Sequence, residues 1–262
     1  MVFYFSGTGN SYHVARKMAE GLHDRMVDIS AAIQNKRFSY TLQEGEKLGF
    51  VFPVYSWAMP EAMEIFIRHL KLHHGNNLYT YAVCTCGSSA GKVISFLELA
   101  LHKKGLELDS GFSVVMPDNY VVLFPLDSPQ NQLKKLYHAD EVIQLILRAV
   151  KLEKRRFFRV KKGHCPNIKS YAVHPLFRIA ATKTEPFYST ADCIGCGLCA
   201  KVCTSHCISM KEGIPIWTKA HCNMCLACLH HCPQQAIQYG KSTRKQGRYL
   251  HPDYKKRKGD TT

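Results

Sequence analysis

The sequence predicts an α/β protein: a doubly wound parallel sheet of five strands, followed by a small, cysteine-rich α+β domain. Three observations carry that expectation. Short apolar runs alternate with stretches of helical periodicity along the first half of the chain. A tight hydroxyl-rich turn, Ser6-Gly7-Thr8-Gly9-Asn10-Ser11, joins the first apolar run to the first helix. Nine of the twelve cysteines lie between Cys193 and Cys232.

Taken in order, Met1 to Phe5 is an apolar strand, and Tyr12 to Leu22 sets Val14, Met18, Ala19 and Leu22 at helical spacing. Arg25 to Ile29 is a second short strand, and Leu48 to Phe52, after the polar Gln43–Lys47, is the continuous apolar run of a buried parallel strand. Pro60 to Leu70 places Met63, Phe66, Ile67 and Leu70 on one helical face. Leu78 to Cys84 is a strand, Gly91 to Lys104 a helix with Val93, Phe96, Leu97 and Leu101 inward, and Leu106 to Met116 a strand broken by Gly111. Ser128-Pro129 opens a helix, Pro taking the first turn. No Pro or Gly then interrupts as far as Lys162, so one long helix, or two joined by a kink, is expected there. Pro166, Pro175 and Pro186 punctuate a weakly periodic stretch that reads as a connector along the first domain. The expected divisions are 1–162, a connector 163–188, the cysteine-rich domain 189–240, and a basic tail 241–262.

At 262 residues with 46% hydrophobic residues the chain suits one full domain and a smaller companion. No run of 18 apolar residues exists, so no membrane-spanning helix is expected. Met1 leads straight into the first strand without a signal-peptide pattern, and the expected compartment is the cytoplasm. Cysteines in that setting argue for metal or redox chemistry rather than disulfides. The net charge of +15 is concentrated in Lys151–Lys162 and in the tail. Such patches suit nucleic acid, anionic lipid or an acidic protein. A solvated helix and a disordered tail are the plain alternative. The preferred functional reading is an acidic redox partner protein, with nucleic acid disfavoured and the oligomeric state left open.

A strand, a Gly turn and a helix start make an anion site, because the helix N-terminus offers unpaired N–H groups and a positive dipole. The loop lacks the Gly-Lys-Ser/Thr end of a P-loop. A dinucleotide fingerprint is a rival, with Asp28 near the place of a ribose-binding acid, but Tyr12 stands where the third glycine is needed for close packing. A simple helix-capping turn is the plain alternative. The loop resembles the FMN-phosphate loop of flavodoxins, and that resemblance implies strand order 2-1-3-4-5, with Ser6, Thr8, Gly9, Asn10 and Ser11 around an FMN phosphate. The flavin ring would then lie beyond the third and fourth strands. Pro53-Val54-Tyr55-Ser56-Trp57 offers two flat aromatic faces there, and Thr85-Cys86-Gly87-Ser88 offers small residues with an approachable backbone. Tyr120, after the fifth strand, is a further candidate for the flavin. Cys84, Cys86 and Cys165 have no partner evident in the sequence, and a free buried cysteine is the ordinary reading of such residues.

Cys193-x-x-Cys196-x-x-Cys199-x-x-x-Cys203 recurs as Cys222-x-x-Cys225-x-x-Cys228-x-x-x-Cys232-Pro233. Zinc ribbons, the alternative, use separated C-x-x-C pairs without the third step. The repeat resembles the bacterial ferredoxin run. That implies two [4Fe–4S] clusters, one on Cys193, Cys196, Cys199 and Cys232, the other on Cys222, Cys225, Cys228 and Cys203. The first copy departs from the family pattern, with Thr204 where Pro is usual and Cys207 where Ala is usual.

Together these stretches resemble a flavodoxin–ferredoxin fusion of the iron–sulfur flavoprotein type. The resemblance implies electron transfer that couples a one- or two-electron flavin to one-electron clusters and an external redox partner. Two other classes stand beside it: a flavin-dependent reductase of a quinone or nitro compound, and a redox sensor or binding module using the basic tail. No acid–base residue is required and no second nucleotide fingerprint is present. Exposed clusters imply an anaerobic or low-oxygen setting.

Overall fold

The structure, a computed structural model, describes residues 1–254; the last eight residues of the basic tail lie outside the described part. The first strands and helices are β1 (Val2–Tyr4), α1 (Asn10–Leu22), β2 (Met26–Asp28), α2 (Ile29–Gln34), β3 (Ser39–Thr41), β4 (Leu48–Pro53), α3 (Glu61–His69) and β5 (Lys71–His73). They are followed by β6 (Thr80–Cys86), α4 (Val93–His102), β7 (Ser110–Val115), α5 (Pro129–Lys151) and β8 (Phe157–Arg159). A parallel six-stranded sheet runs in the order β2-β1-β4-β6-β7-β8. Its first five strands keep the expected 2-1-3-4-5 order.

Strand alternation sorts the core onto two faces. Phe3, Phe50 and Phe52 pack with Met63, Phe66 and Leu97 on one side. Val2, Tyr4 and Val51 pack with Val14, Met18, Ile143 and Val150 from α1 and α5 on the other. β3 and β5 form a small parallel side sheet that the sequence reading passed over.

The sixth strand corrects the expectation of a helix running to Lys162. α5 stops at Lys151, and Glu153 (φ 47) and Arg156 (φ 54) adopt the left-handed backbone that turns the chain back. Lys151 and Arg155 would repel across one turn of a continued helix. Arg155 instead pairs with Asp109 at 2.5 Å, Phe157 meets Phe112 edge-on at 5.9 Å, and Phe158 lies against Gly111. A Cβ on Gly111 would come within 2.8 Å of the Phe158 ring, so the glycine that breaks the apolar pattern makes room for the added strand.

The connector is ordered: α6 (Pro166–Ile168), a π-turn over Lys169–Val173 and α7 (His174–Ala180). The cysteine-rich segment comprises β9 (Phe187–Ser189), α8 (Leu198–Lys201), β10 (Ile208–Lys211), β11 (Ile214–Trp217), α9 (Ala227–His231) and β12 (Ile237–Tyr239). β9 pairs antiparallel with β12, and β10 with β11. Each cysteine run therefore passes from a loop through a short helix to a strand. The described part of the tail, to Tyr254, also departs from the disordered alternative. Tyr249 and His251 are buried, and the His251 N–H donates to Thr8 O at 2.9 Å. No helix among the described residues is long and apolar enough to cross a membrane.

Candidate functional site

Every candidate flavin residue except Gly9 lines one cavity of about 730 Å³ at the C-terminal edge of the sheet, within the size range of small-ligand sites. Gly9 sits at its rim and starts α1 with φ 100, a left-handed backbone that glycine adopts without strain. Its missing side chain also matters, because a Cβ there would lie 2.5 Å from the Tyr254 Cβ and 2.8 Å from the His251 Cβ.

The helix start is left available to an anion. No side chain caps α1, and its first turn carries no acidic residue. The hydroxyls of the loop are oriented by neighbours. Ser6 Oγ accepts from the Gly9 N–H at 3.2 Å, and Thr8 Oγ1 accepts from Asn119 Nδ2 at 2.5 Å. Each therefore keeps its own proton to donate. Ser11 Oγ and Thr85 Oγ1 share a bond of 2.8 Å, tying the first loop to the loop after β6. Asn10 is held by donating to Pro117 O at 3.0 Å and by accepting from Tyr249 Oη at 2.7 Å.

The loop after β4 is a two-residue turn in which Tyr55 and Ala58 exchange backbone bonds of 3.0 and 3.1 Å. Its central residues, Ser56 (φ 48) and Trp57 (φ 62), both take positive φ, as a type I′ turn requires. Neither is glycine, so backbone strain is stored where two aromatics are presented. The turn is held from outside. Trp57 Nε1 donates to Ser89 Oγ at 3.1 Å, and Ser170 Oγ, buried in the connector, donates to Trp57 O at 2.9 Å. Burial pushes the Tyr55 hydroxyl well up, and it pushes the Cys86 thiol up to about 12, so neither group offers a charge to the cavity. Asp118 is the one acidic side chain in the lining.

The sequence reading missed the outer wall. Leu123 and Phe124, beyond β7, and Val173, Leu176, Phe177 and Ala180, from the connector, close the cavity on its apolar side. For the connector residues the sequence offered only a weakly periodic stretch between prolines, which gave no reason to place it here. Met224, Cys225 and Leu226 of the second cysteine run form part of the same wall.

The cysteines gather in two groups. Cys193, Cys196, Cys199 and Cys232 line one small cavity with Met210 and Ile237. Cys203, Cys225 and Cys228 act on one another electrostatically, and Cys207 is influenced by both Cys222 and Cys225. Among the described residues no three of these thiols lie within 4.8 Å of one another.

Both cysteine loops share a backbone signature. The residues flanking the second cysteine of each run are left-handed: Gly195 (φ 67) and Gly197 (φ 71) in the first, Met224 (φ 51) and Leu226 (φ 56) in the second. Such alternation turns successive N–H groups inward, making a concavity for an anion. Glycine adopts it freely, whereas Met224 and Leu226 adopt it with strain while burying their side chains.

The second run is built into the first part of the chain. A Cβ on Gly7 would meet Cys225 O at 2.7 Å, Asn223 Oδ1 accepts from the Ala62 N–H at 3.1 Å to cap α3, and His230 Nε2 bonds Asn119 O at 2.8 Å. His13 lies between Asp140 and Asp253, each at 2.6 Å, so α1, α5 and the tail converge. Burial alone would raise the Asp253 carboxyl, but hydrogen bonds from His13 and Arg16 outweigh it and hold the group down at about 2.

Residues 1–109 match the family described as a flavodoxin domain, and this part of the chain is a flavodoxin-like domain. Solved structures similar to the chain include the Trp repressor binding protein from Bacillus subtilis. It shows 15% identity, TM-score 0.36, and coverage of 60% of this chain and 99% of that one. A flavodoxin from Streptococcus pneumonia TIGR4 shows 16% identity and TM-score 0.31, with 55% and 97% covered. The rubredoxin oxygen:oxidoreductase of Desulfovibrio gigas shows 14% identity and TM-score 0.34, with 58% and 36% covered. No curated protein matches the chain.

Proposed function

We propose that the chain is an electron-transfer iron–sulfur flavoprotein, holding FMN in the large cavity and a [4Fe–4S] cluster on each cysteine quartet. The observation that carries this reading is that Met224, Cys225 and Leu226 line the same cavity as the three flavin-type loops. A cysteine loop forming the wall of a flavin site gives an electron a short route from one cofactor to the next.

The residues fit both groups. Ser6, Thr8 and Ser11 would donate to a phosphate at the uncapped start of α1, while Tyr55, Trp57 and Tyr120 supply flat apolar surface for a ring. Gly87 and Ser88 let backbone approach the ring edge. At the clusters, Cys193, Cys196, Cys199 and Cys232 would hold one, and Cys222, Cys225, Cys228 and Cys203 the other. N–H groups already point at ligand sulfurs: Ala236 N donates to Cys232 Sγ at 3.2 Å, and Met224 N to Cys222 Sγ at 3.3 Å. When bound, FMN exchanges one or two electrons and each cubane exchanges one, so the chain would match two-electron to one-electron carriers.

The quartets differ in position. The second adjoins the flavin cavity, whereas Cys196 of the first is exposed beside Ile194, itself 62% exposed. The outer quartet is therefore the point of exchange with a redox partner. The net charge of +15 favours an acidic protein. The cytoplasm is the proposed compartment.

Anaerobic quantification tests the reading. About one FMN, eight iron and eight sulfide per chain, with the cubane absorption bleaching on dithionite, is the expected result. Zinc in place of iron, or a reconstituted protein that does not retain FMN, overturns it.

A second reading, reduction of a small neutral acceptor, draws on the apolar outer wall, where Leu123 is 70% and Leu176 66% exposed. Sustained turnover of an added quinone by the reduced protein, lowered by Leu176→Asp, would favour it.

A further inference from the structure

Eight of the nine clustered cysteines are taken up by the two quartets, and Cys207 is the ninth. It is 1% exposed, and its Sγ lies 3.5 Å from Cys203 Sγ. The residue is pinned in place: its carbonyl accepts from Thr218 N at 2.7 Å and from Thr218 Oγ1 at 3.2 Å. Its own N–H donates to Cys203 Sγ at 3.4 Å.

The other copy of the repeat supplies the comparison. Cys232 stands where Cys203 stands, and the N–H four residues on, that of Ala236, donates to its sulfur at 3.2 Å. Both fourth-position sulfurs thus receive the same backbone bond. At the position of that fourth residue the copies differ in one side chain, because Ala236 has no polar side chain and Cys207 has a thiol, 3.5 Å from Cys203 Sγ.

We propose that Cys207 is a positioning residue whose S–H donates to the Cys203 thiolate, raising the reduction potential of the cluster next to the flavin cavity. This rests on the cluster assignment proposed above. Hydrogen bonds to ligand sulfurs favour the more negatively charged reduced state, and they are among the protein's main controls over cluster potential. The second quartet has another side-chain contact, Thr204 Oγ1 lying 3.0 Å from Cys225 Sγ, so the contribution of Cys207 is the shift between its own variant and the wild type.

The experiment is an anaerobic redox titration of the full chain followed by electron paramagnetic resonance, with iron and sulfide assayed in each sample. The wild type is expected to hold about eight iron and show two separable one-electron steps. Cys207→Ala is expected to keep all its iron while one midpoint moves to a more negative potential. Cys207→Ser, which keeps a donor, is expected to stay close to the wild type. Unchanged midpoints in Cys207→Ala overturn the proposal. Loss of half the iron in Cys207→Ala also overturns it, since that makes Cys207 a ligand. A wild type without about eight iron defeats the cluster reading itself, and this inference with it.

Discussion

Gly7→Ala probes the junction between the two halves of the chain with a single methyl group. The backbone at Gly7 is ordinary, so the added carbon is opposed by its surroundings and not by its torsion angles. It would stand 2.7 Å from Cys225 O and 2.9 Å from Cys225 Cβ. Both atoms belong to a loop that also caps α3 through Asn223, so neither can swing aside as a flexible side-chain end would. Overpacking of this kind costs about 1–3 kcal/mol. If the first loop gives way, that cost corresponds to affinity for the proposed FMN lower by about 5- to 150-fold. If the cysteine loop gives way, the thermal midpoint falls instead. Fluorescence titration with FMN and a thermal scan, both anaerobic, separate the two responses, and iron content reports whether the proposed clusters survive. Gly75→Ala is the control, since nothing lies within 4 Å of its added carbon. A Gly7→Ala protein with wild-type affinity and wild-type midpoint would refute the close approach of the two loops.

Asn223→Ala removes a side chain that caps the start of α3 and is expected to cost about 1 kcal/mol in urea unfolding, in the range of ordinary N-cap losses. Tyr249→Phe leaves buried Asn10 Oδ1 without its donor and is expected to cost about 1–3 kcal/mol by the same assay. The pH dependence follows from His251, whose imidazole is pushed down to about 4 by burial and by the neighbouring His13, with Asp253, Asp140 and Arg16 close by. A folded-state value below the unfolded one, near 6.5, means that stability is full above pH 6.5 and declines as the pH falls toward 4. The upper limit of that loss is about 3 kcal/mol. His251→Gln is expected to flatten the curve in this window, and an unchanged slope between pH 7 and pH 4 in urea titrations would contradict it.

The strands were legible because buried parallel strands are continuous apolar runs, and Leu48–Phe52 can be little else; their order was what the resemblance of the first loop to that of flavodoxins implied. The flavin-type loops were legible because the sheet topology fixes where loops meet, so three short motifs far apart in sequence had one place to converge. β8 was not legible. Its two aromatics pack against Phe112 and Gly111, partners more than 40 residues earlier in the chain, and local periodicity carries no trace of them. The connector's part in the cavity was hidden for a similar reason: Ser170 gains its meaning from Trp57 and Lys92, not from its neighbours. The tail misled through composition. Its basic residues suit disorder, while Tyr249, His251 and Asp253, scattered among them, dock it onto α1 and the phosphate loop.

The two cysteine loops began as equivalents in spacing but are no longer interchangeable. Gly195 and Gly197 make the first a generic cradle that any surface could host. Met224 and Leu226 accept a strained backbone so that their side chains can form a wall for a neighbouring cavity. Transplanting the first heptapeptide into the second position would keep every thiol and relieve the strain, yet it would open a gap beside the flavin-type loops. Of the two copies, only the one facing the large cavity is particular to its address.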